Sequence, residues 1–153
     1  VWRQSLVRFK YYGCREYGDF YAKAMSVFGK KYLERWKPDL IVPVPLHPRK
    51  KRMRGFNQAA YLAERLSDLT GIPWNEHLVK KIRSTRSQKK LNAIQRRQNL
   101  KNAYRVTEKI TGFSVLVVDD VYTTGSTADA MAMCLFEAGA EKVYFLTICA
   151  GRA

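Results

Sequence analysis

The chain has 153 residues, a formal net charge of +15 and three scattered cysteines. That length suits one domain, residues 1–153, with a true hydrophobic core, and no stretch resembles a signal peptide or an apolar run long enough to cross a membrane, so no membrane insertion is expected. The charge points to a polyanionic partner such as nucleic acid, nucleotide or anionic lipid, while Cys14, Cys134 and Cys149, odd in number and without a Cys-x-x-Cys spacing, suit a reducing cytoplasm and suggest no zinc site.

The first residue is Val1 rather than Met, so the sequence reads as part of a longer protein. Leu6, Val7 and Phe9 set up a short helix over residues 2–11 that Gly13 closes. From about Glu16 to Arg35 a second helical pattern places Phe20, Ala24, Val27 and Phe28 on one face, expected in the core, and Pro38 stops it. Asp39 to Val44 is a short apolar strand. It runs into Pro43-Val44-Pro45-Leu46-His47-Pro48, where three prolines in six residues predict a stiff, extended loop. At the carboxyl end of a strand in an open α/β sheet, such a loop lies where ligands bind. Its backbone N–H groups can face a pyrophosphate. His47 can touch a phosphate, or be held for structure.

The positive charge is clustered. Arg49, Lys50, Lys51, Arg52 and Arg54 precede a helix whose buried side is Ala59, Ala60, Leu62, Ala63 and Leu66 and which Thr70-Gly71 ends. Lys80, Lys81, Arg83, Arg86, Lys89, Lys90, Arg96, Arg97 and Lys101 form a second group. The first run can bind phosphate or be a solvated loop. Residues 72–82 read as a connection with a short strand around His77-Leu78-Val79. Residues 84–101 are basic, hydrophilic and poor in core residues. That pattern fits a mobile lid which orders over an anionic ligand, or a permanently exposed basic helix. Asn102 to Val106 reads as a strand before a turn near Thr111-Gly112.

The chemistry is concentrated in one stretch: Val115-Leu116-Val117-Val118, Asp119-Asp120, Val121-Tyr122, then Thr123-Thr124-Gly125-Ser126-Thr127 and a helical pattern from about Ala128 to Ala138. Four apolar residues, three of them β-branched, predict a buried strand with two carboxylates at its carboxyl end. A helix N-terminus carries free N–H groups and the positive end of a dipole, which suits a phosphate. Gly125 lets the backbone approach closely, and the hydroxyls of Thr123, Thr124, Ser126 and Thr127 can serve the same anion or cap the helix. Asp119 and Asp120 would repel that phosphate, but they can accept hydrogen bonds from sugar hydroxyls or help place Mg²⁺. Phosphate at one end and vicinal hydroxyls at the other describe a ribose 5-phosphate. An ordinary capped helix after a core strand would leave the two adjacent acids unexplained. After a break at Gly139-Ala140, Lys142 to Cys149 is a last apolar strand. Strands separated by helices predict an α/β fold: a parallel sheet with helices on both faces.

The stretch from Val115 to Thr127 closely resembles the phosphoribosyl-pyrophosphate (PRPP) motif of type I phosphoribosyltransferases. Val42-Pro43-Val44-Pro45-Leu46-His47-Pro48-Arg49, Arg54-Gly55-Phe56-Asn57-Gln58-Ala59 and Lys10-Tyr11-x-Gly13 look like the ComF family of competence proteins, over nearly the whole chain. The order of Arg83, Thr85, Arg86, Gln88, Leu91, Arg97 and Asn99 is similar to that family's basic middle region. The resemblance implies a type I phosphoribosyltransferase fold, PRPP as ligand, Mg²⁺ held mainly by PRPP oxygens and water, and a role in natural transformation. Carried over by motif, Asp119 and Asp120 hold the ribose hydroxyls as the candidate catalytic pair, Thr123, Thr124, Gly125, Ser126 and Thr127 cradle the 5-phosphate, and Val121 and Tyr122 belong to the same PRPP-binding stretch. Leu46, His47, Pro48 and Arg49 face the pyrophosphate. Lys50, Lys51, Arg52, Arg54, Lys89 and Lys90 are the candidates for holding single-stranded DNA, and a competence helicase is a possible partner. Many members of that family carry a four-cysteine zinc module ahead of this domain, which these residues do not contain. A PRPP-sensing module without catalysis and a nucleobase salvage enzyme remain as alternatives.

Overall fold

A computed structural model describes residues 2–83, 92, 94–95 and 102–151. The central sheet has three parallel strands in the order β1 (Leu40–Pro43), β4 (Ser114–Tyr122) and β5 (Lys142–Ala150). In register, Leu40 to Pro43 lie beside Val115 to Val118, and Ser114 to Tyr122 lie beside Lys142 to Ala150. Trp74 extends the far side of β1 through a single bridge at Ile41. Among the described residues, six helices flank the sheet: α1 (Trp2–Tyr12), α2 (Arg15–Phe28), α3 (Lys30–Trp36), α4 (Pro48–Arg54), α5 (Gln58–Thr70) and α6 (Ser126–Glu137). The remaining strands, β2 (Val79–Lys81) and β3 (Tyr104–Val106), pair antiparallel in a small sheet of their own. The expected parallel sheet therefore holds for the three main strands and not for this pair.

Strand alternation divides the core in two. On one face Val115 and Val117 of β4 join Val42 and pack on Met131 and Leu135 of α6 and on Leu78, Val79 and Tyr104 around the small sheet. On the other face Leu116 and Val118 join Ile41 and pack on Leu6 and Phe9 of α1, Met25 of α2, and Leu62 and Leu66 of α5. With both faces covered, β4 reads as a continuous apolar run, and each buried aliphatic side chain contributes about 1.5–3 kcal/mol.

Several local expectations are corrected. The long second helix is interrupted at Gly29 and becomes α2 and α3. Its predicted core face was the wrong one: Phe20, Val27 and Phe28 are exposed, while Gly18, Tyr21, Ala22 and Met25 face inward. Gly18 decides the orientation, because a Cβ there would lie 2.6 Å from the Tyr61 ring and 2.7 Å from that of Phe9. Only glycine lets α2 lie that close to α1 and α5. The basic run after the prolines is helix α4 from Pro48 onward, with His47 as its N-cap accepting from the Arg49 N–H at 3.3 Å. The strand that bears the acids does not end before them but runs through to Tyr122. The predicted lid at 84–101 lies outside the described residues, apart from 92, 94 and 95.

Candidate functional site

The site is assembled at the carboxyl end of the parallel strands. Asp119 and Asp120 sit in β4, with Asp119 beside Thr147 of β5. The alternation that divides the core continues through them. Asp119 follows Val117 to the α6 side, where its carboxylate lines a small pocket with Val121, Tyr122, Thr123, Gly125, Thr127, Ala128, Phe145 and Thr147. Asp120 follows Leu116 and Val118 to the α1 side, where its Oδ2 lies 2.9 Å from the Lys10 Nζ. The Asp120 N–H donates to Asp119 Oδ1 at 2.8 Å, which ties the two acids together.

Their electrostatics differ accordingly. Burial first, and the neighbouring Asp120 charge second, push the Asp119 carboxyl well above the usual carboxylate range; the Asp120 N–H and Lys10 only partly oppose this. Tyr104 stands over the same side. Burial and then the Asp119 charge push its phenol up to about 12, and a hydrogen bond with the Thr127 side chain works against them. Lys81 lies 5.7 Å from the centre of the Tyr104 ring. Burial and then Lys50 push its ammonium down, and Asp119 pulls it back up.

The loop from Thr123 to Thr127 turns at Gly125, whose φ of +80° favours glycine. A Cβ there would also meet the Tyr122 hydroxyl at 2.6 Å. Gly125 occupies the N-cap and offers no side chain, and the Thr124 Oγ1 accepts from the Ser126 N–H at the start of the helix at 3.4 Å. Thr124 and Ser126 also share a hydrogen bond of 2.9 Å and face solvent. Thr123 and Thr127 remain on the pocket with Asp119.

The predicted pyrophosphate loop lines a separate, larger cleft. Leu46, His47 and Pro48 face Lys80 and Lys81 of β2 across about 640 Å³, with Lys51, Arg52, Glu76 and His77 on its walls. Arg49 and Lys50 are exposed on α4. Lys51 is ion-paired with Glu76 at 3.0 Å. Arg54 lies 5.4 Å from the centre of the Tyr11 ring and donates to Gln58 Oε1 at 3.4 Å. Lys89 and Lys90 lie outside the described residues.

The segment Gly55-Phe56-Asn57-Gln58 acquires a residue-by-residue explanation. Gly55, at φ +82°, ends α4. Phe56 meets the edge of Phe9 at 5.8 Å. Asn57 caps α5 by accepting from the Ala59 N–H at 3.0 Å, and its own amide donates to the Val44 carbonyl at 3.1 Å, pinning the proline loop. Gln58 donates to the Lys10 carbonyl at 2.9 Å. Sequence reasoning missed Lys10, Lys81 and Thr147 as neighbours of the acids. The Lys10-Tyr11-x-Gly13 pattern was the available signal for Lys10. Among the described residues, no three His, Cys, Asp or Glu side chains gather as a metal would need, and no helix is long and apolar enough to cross a membrane.

A three-stranded parallel sheet with helices on both faces, an acid pair at the end of its middle strand and a glycine turn into a helix define the type I phosphoribosyltransferase fold. Purine phosphoribosyltransferase from Pyrococcus horikoshii has a similar fold, with a TM-score of 0.53 at 18% identity over 88% of this chain and 84% of that one. Residues 15–153 match the phosphoribosyl transferase domain family, and the chain belongs to it. The DNA utilization protein YhgH of Escherichia coli K12 is 41% identical over 112 residues, 73% of this chain and 49% of that protein. Competence protein ComFC of Bacillus subtilis is 32% identical over 138 residues, 90% of this chain and 54% of that protein. These relatives agree with the competence-family resemblance seen in the motifs. The chain spans about half the length of the curated relatives it matches.

Proposed function

We propose that this chain binds PRPP at the carboxyl end of β4 and serves the handling of incoming DNA. The observation that carries the reading is the shared pocket: Asp119 lines one cavity with Thr123, Gly125 and Thr127 of the turn into α6. In this reading the 5-phosphate takes the N–H groups at the start of α6 and the hydroxyls of the turn. Asp119 and Asp120 accept from the ribose hydroxyls. Leu46, His47, Pro48 and Arg49 face the pyrophosphate, and the cations around the larger cleft balance its charge. The chain's carboxylates fit a secondary role in metal binding, since Asp120 is already paired with Lys10. Mg²⁺ would therefore be held mainly by oxygens of PRPP and water, and would supply charge neutralisation at the departing pyrophosphate. The protein's own contribution is positioning, by holding the sugar at one end and the leaving group at the other.

The names of the relatives, a DNA utilization protein and a competence protein, support a role in DNA uptake. A second reading, a PRPP-sensing module whose surface holds single-stranded DNA or a helicase, draws support from α4, where Arg49, Lys50, Lys51 and Arg52 are exposed on a helix without a single buried residue. A nucleobase salvage enzyme is a third reading. Titration calorimetry with PRPP and Mg²⁺ tests the site, and absence of binding to the folded protein would overturn it. Screening bases and nucleosides for PRPP-dependent release of pyrophosphate separates transferase from sensor.

A further inference from the structure

Helix α1 lies ahead of the residues that match the family, which begin at 15, yet it places a charge at the acid pair. Phe9 is completely buried against the rings of Phe56, Tyr61 and Tyr21, so the last turn of α1 cannot drift from the sheet. Lys10 follows Phe9. Its carbonyl accepts from the buried Gln58 amide, and Tyr11 beside it lies under the Arg54 guanidinium. Backbone and neighbours are thus held in place, and the ammonium reaches Asp120. The lysine side chain is 26% exposed and the carboxylate 13%, so the pair is largely withdrawn from water.

A carboxylate this enclosed needs a partner, and among the described residues Lys10 is the cation that pairs with it. The ion pair engages one oxygen, Oδ2, and a carboxylate can accept from more than one donor. We propose that Lys10 is a positioning residue of the sugar site: with its backbone held by Phe9 and Gln58, its ammonium holds the Asp120 carboxylate in the orientation that accepts from a sugar hydroxyl. The inference rests on the ribose reading of the acid pair and extends it to a helix that the reading did not include. It also explains why Arg54 and Gln58 sit on Lys10 and Tyr11 rather than on the basic cleft. They brace the lysine.

Calorimetric titration of the whole chain with ribose 5-phosphate and, separately, with inorganic phosphate tests this without metal. Hydrogen bonds to charged groups are typically worth about 1.5–3 kcal/mol, so Lys10→Met is expected to weaken ribose 5-phosphate by about tenfold or more. Inorganic phosphate, which needs only the turn at 123–127, should bind as before. Lys10→Arg should restore most of the sugar affinity. Lys10→Met added to Asp120→Asn should cost no more than Asp120→Asn alone, because the lysine acts through that carboxylate. The double variant also removes both charges together, so it folds even if Lys10→Met alone leaves too strained a carboxylate. Equal losses for sugar phosphate and phosphate, or additive losses in the double variant, overturn the role given to Lys10. So does unchanged sugar affinity in Lys10→Met while wild type binds. A wild-type chain that ignores ribose 5-phosphate overturns the ribose reading itself.

Discussion

The two sides of β4 treat neighbouring aspartates differently. On the α6 side, Asp119 shares a pocket with small hydroxyl residues, beneath Tyr104, and its charge is disfavoured by burial. On the α1 side, Asp120 is ion-paired with a lysine. Identical side chains one residue apart thus become a carboxyl whose ionisation is disfavoured and a carboxylate that keeps its charge partner. The division follows from strand geometry: a period of two sends adjacent residues to different layers of the molecule. A ligand that meets both acids draws on both layers.

The largest expected effects separate the layers by their packing. Phe9→Ala should cost about 3–5 kcal/mol of stability and Leu135→Ala about 2–5 kcal/mol, measured by denaturant unfolding. Both side chains are fully buried, on opposite faces. At temperatures where both variants are folded, Phe9→Ala should also weaken ribose 5-phosphate, because it loosens the turn that carries Lys10. Leu135→Ala should not. Equal effects on sugar binding would erase the distinction between the faces.

Next in size are the acids. Asp119→Asn and Asp120→Asn should each weaken PRPP by about 1.5–3 kcal/mol, since an amide keeps the shape but loses charge. Their stabilities should diverge. Asp119→Asn removes a buried carboxyl whose ionisation is disfavoured, and should be neutral or stabilising near neutral pH. Asp120→Asn strands Lys10 and should destabilise. Parallel thermal melts check this; identical shifts would mean that the two environments are equivalent after all.

The same contrast predicts a pH dependence. The folded chain holds the Asp119 proton more tightly than the unfolded chain does. Stability from this group is therefore greatest at low pH and is lost as pH rises from about 4 towards the raised value, by at most about 1.4 kcal/mol per pH unit. Melts of wild type and Asp119→Asn across that range should differ in slope, with the variant flatter. The smallest effect lies outside the acid pair. If α4 holds single-stranded DNA, reversing Lys50 or Arg52 to Glu should take about 0.7 from the slope of log K against log salt for each phosphate that is no longer neutralised. Fluorescence anisotropy at two salt concentrations reads it, and salt-indifferent binding would remove DNA from the account of this surface.

Much of this site was legible in the order of residues. An apolar run before two acids, and a glycine among hydroxyl residues before a helix, are local patterns, and local sterics and hydrogen bonding dictate them. The strand that bears the acids, the helix after Gly125, the end of α5 at Gly71 and the proline loop all depend on near neighbours in the chain. The surroundings of the acids did not depend on near neighbours. Lys10 meets Asp120 across 110 positions of chain, and Tyr104 meets Thr127 only because β2 and β3 fold over the sheet. The inward face of α2 was decided by Gly18, whose missing side chain admits the rings of Phe9 and Tyr61, whereas hydrophobicity alone favoured Phe20, Val27 and Phe28. Composition and spacing determined that two carboxylates stand at a strand end beside a phosphate-sized turn. The packing of α1 on one side and of the small antiparallel sheet on the other decided that one of them is paired and the other is not, because burial and charge depend on neighbours in space.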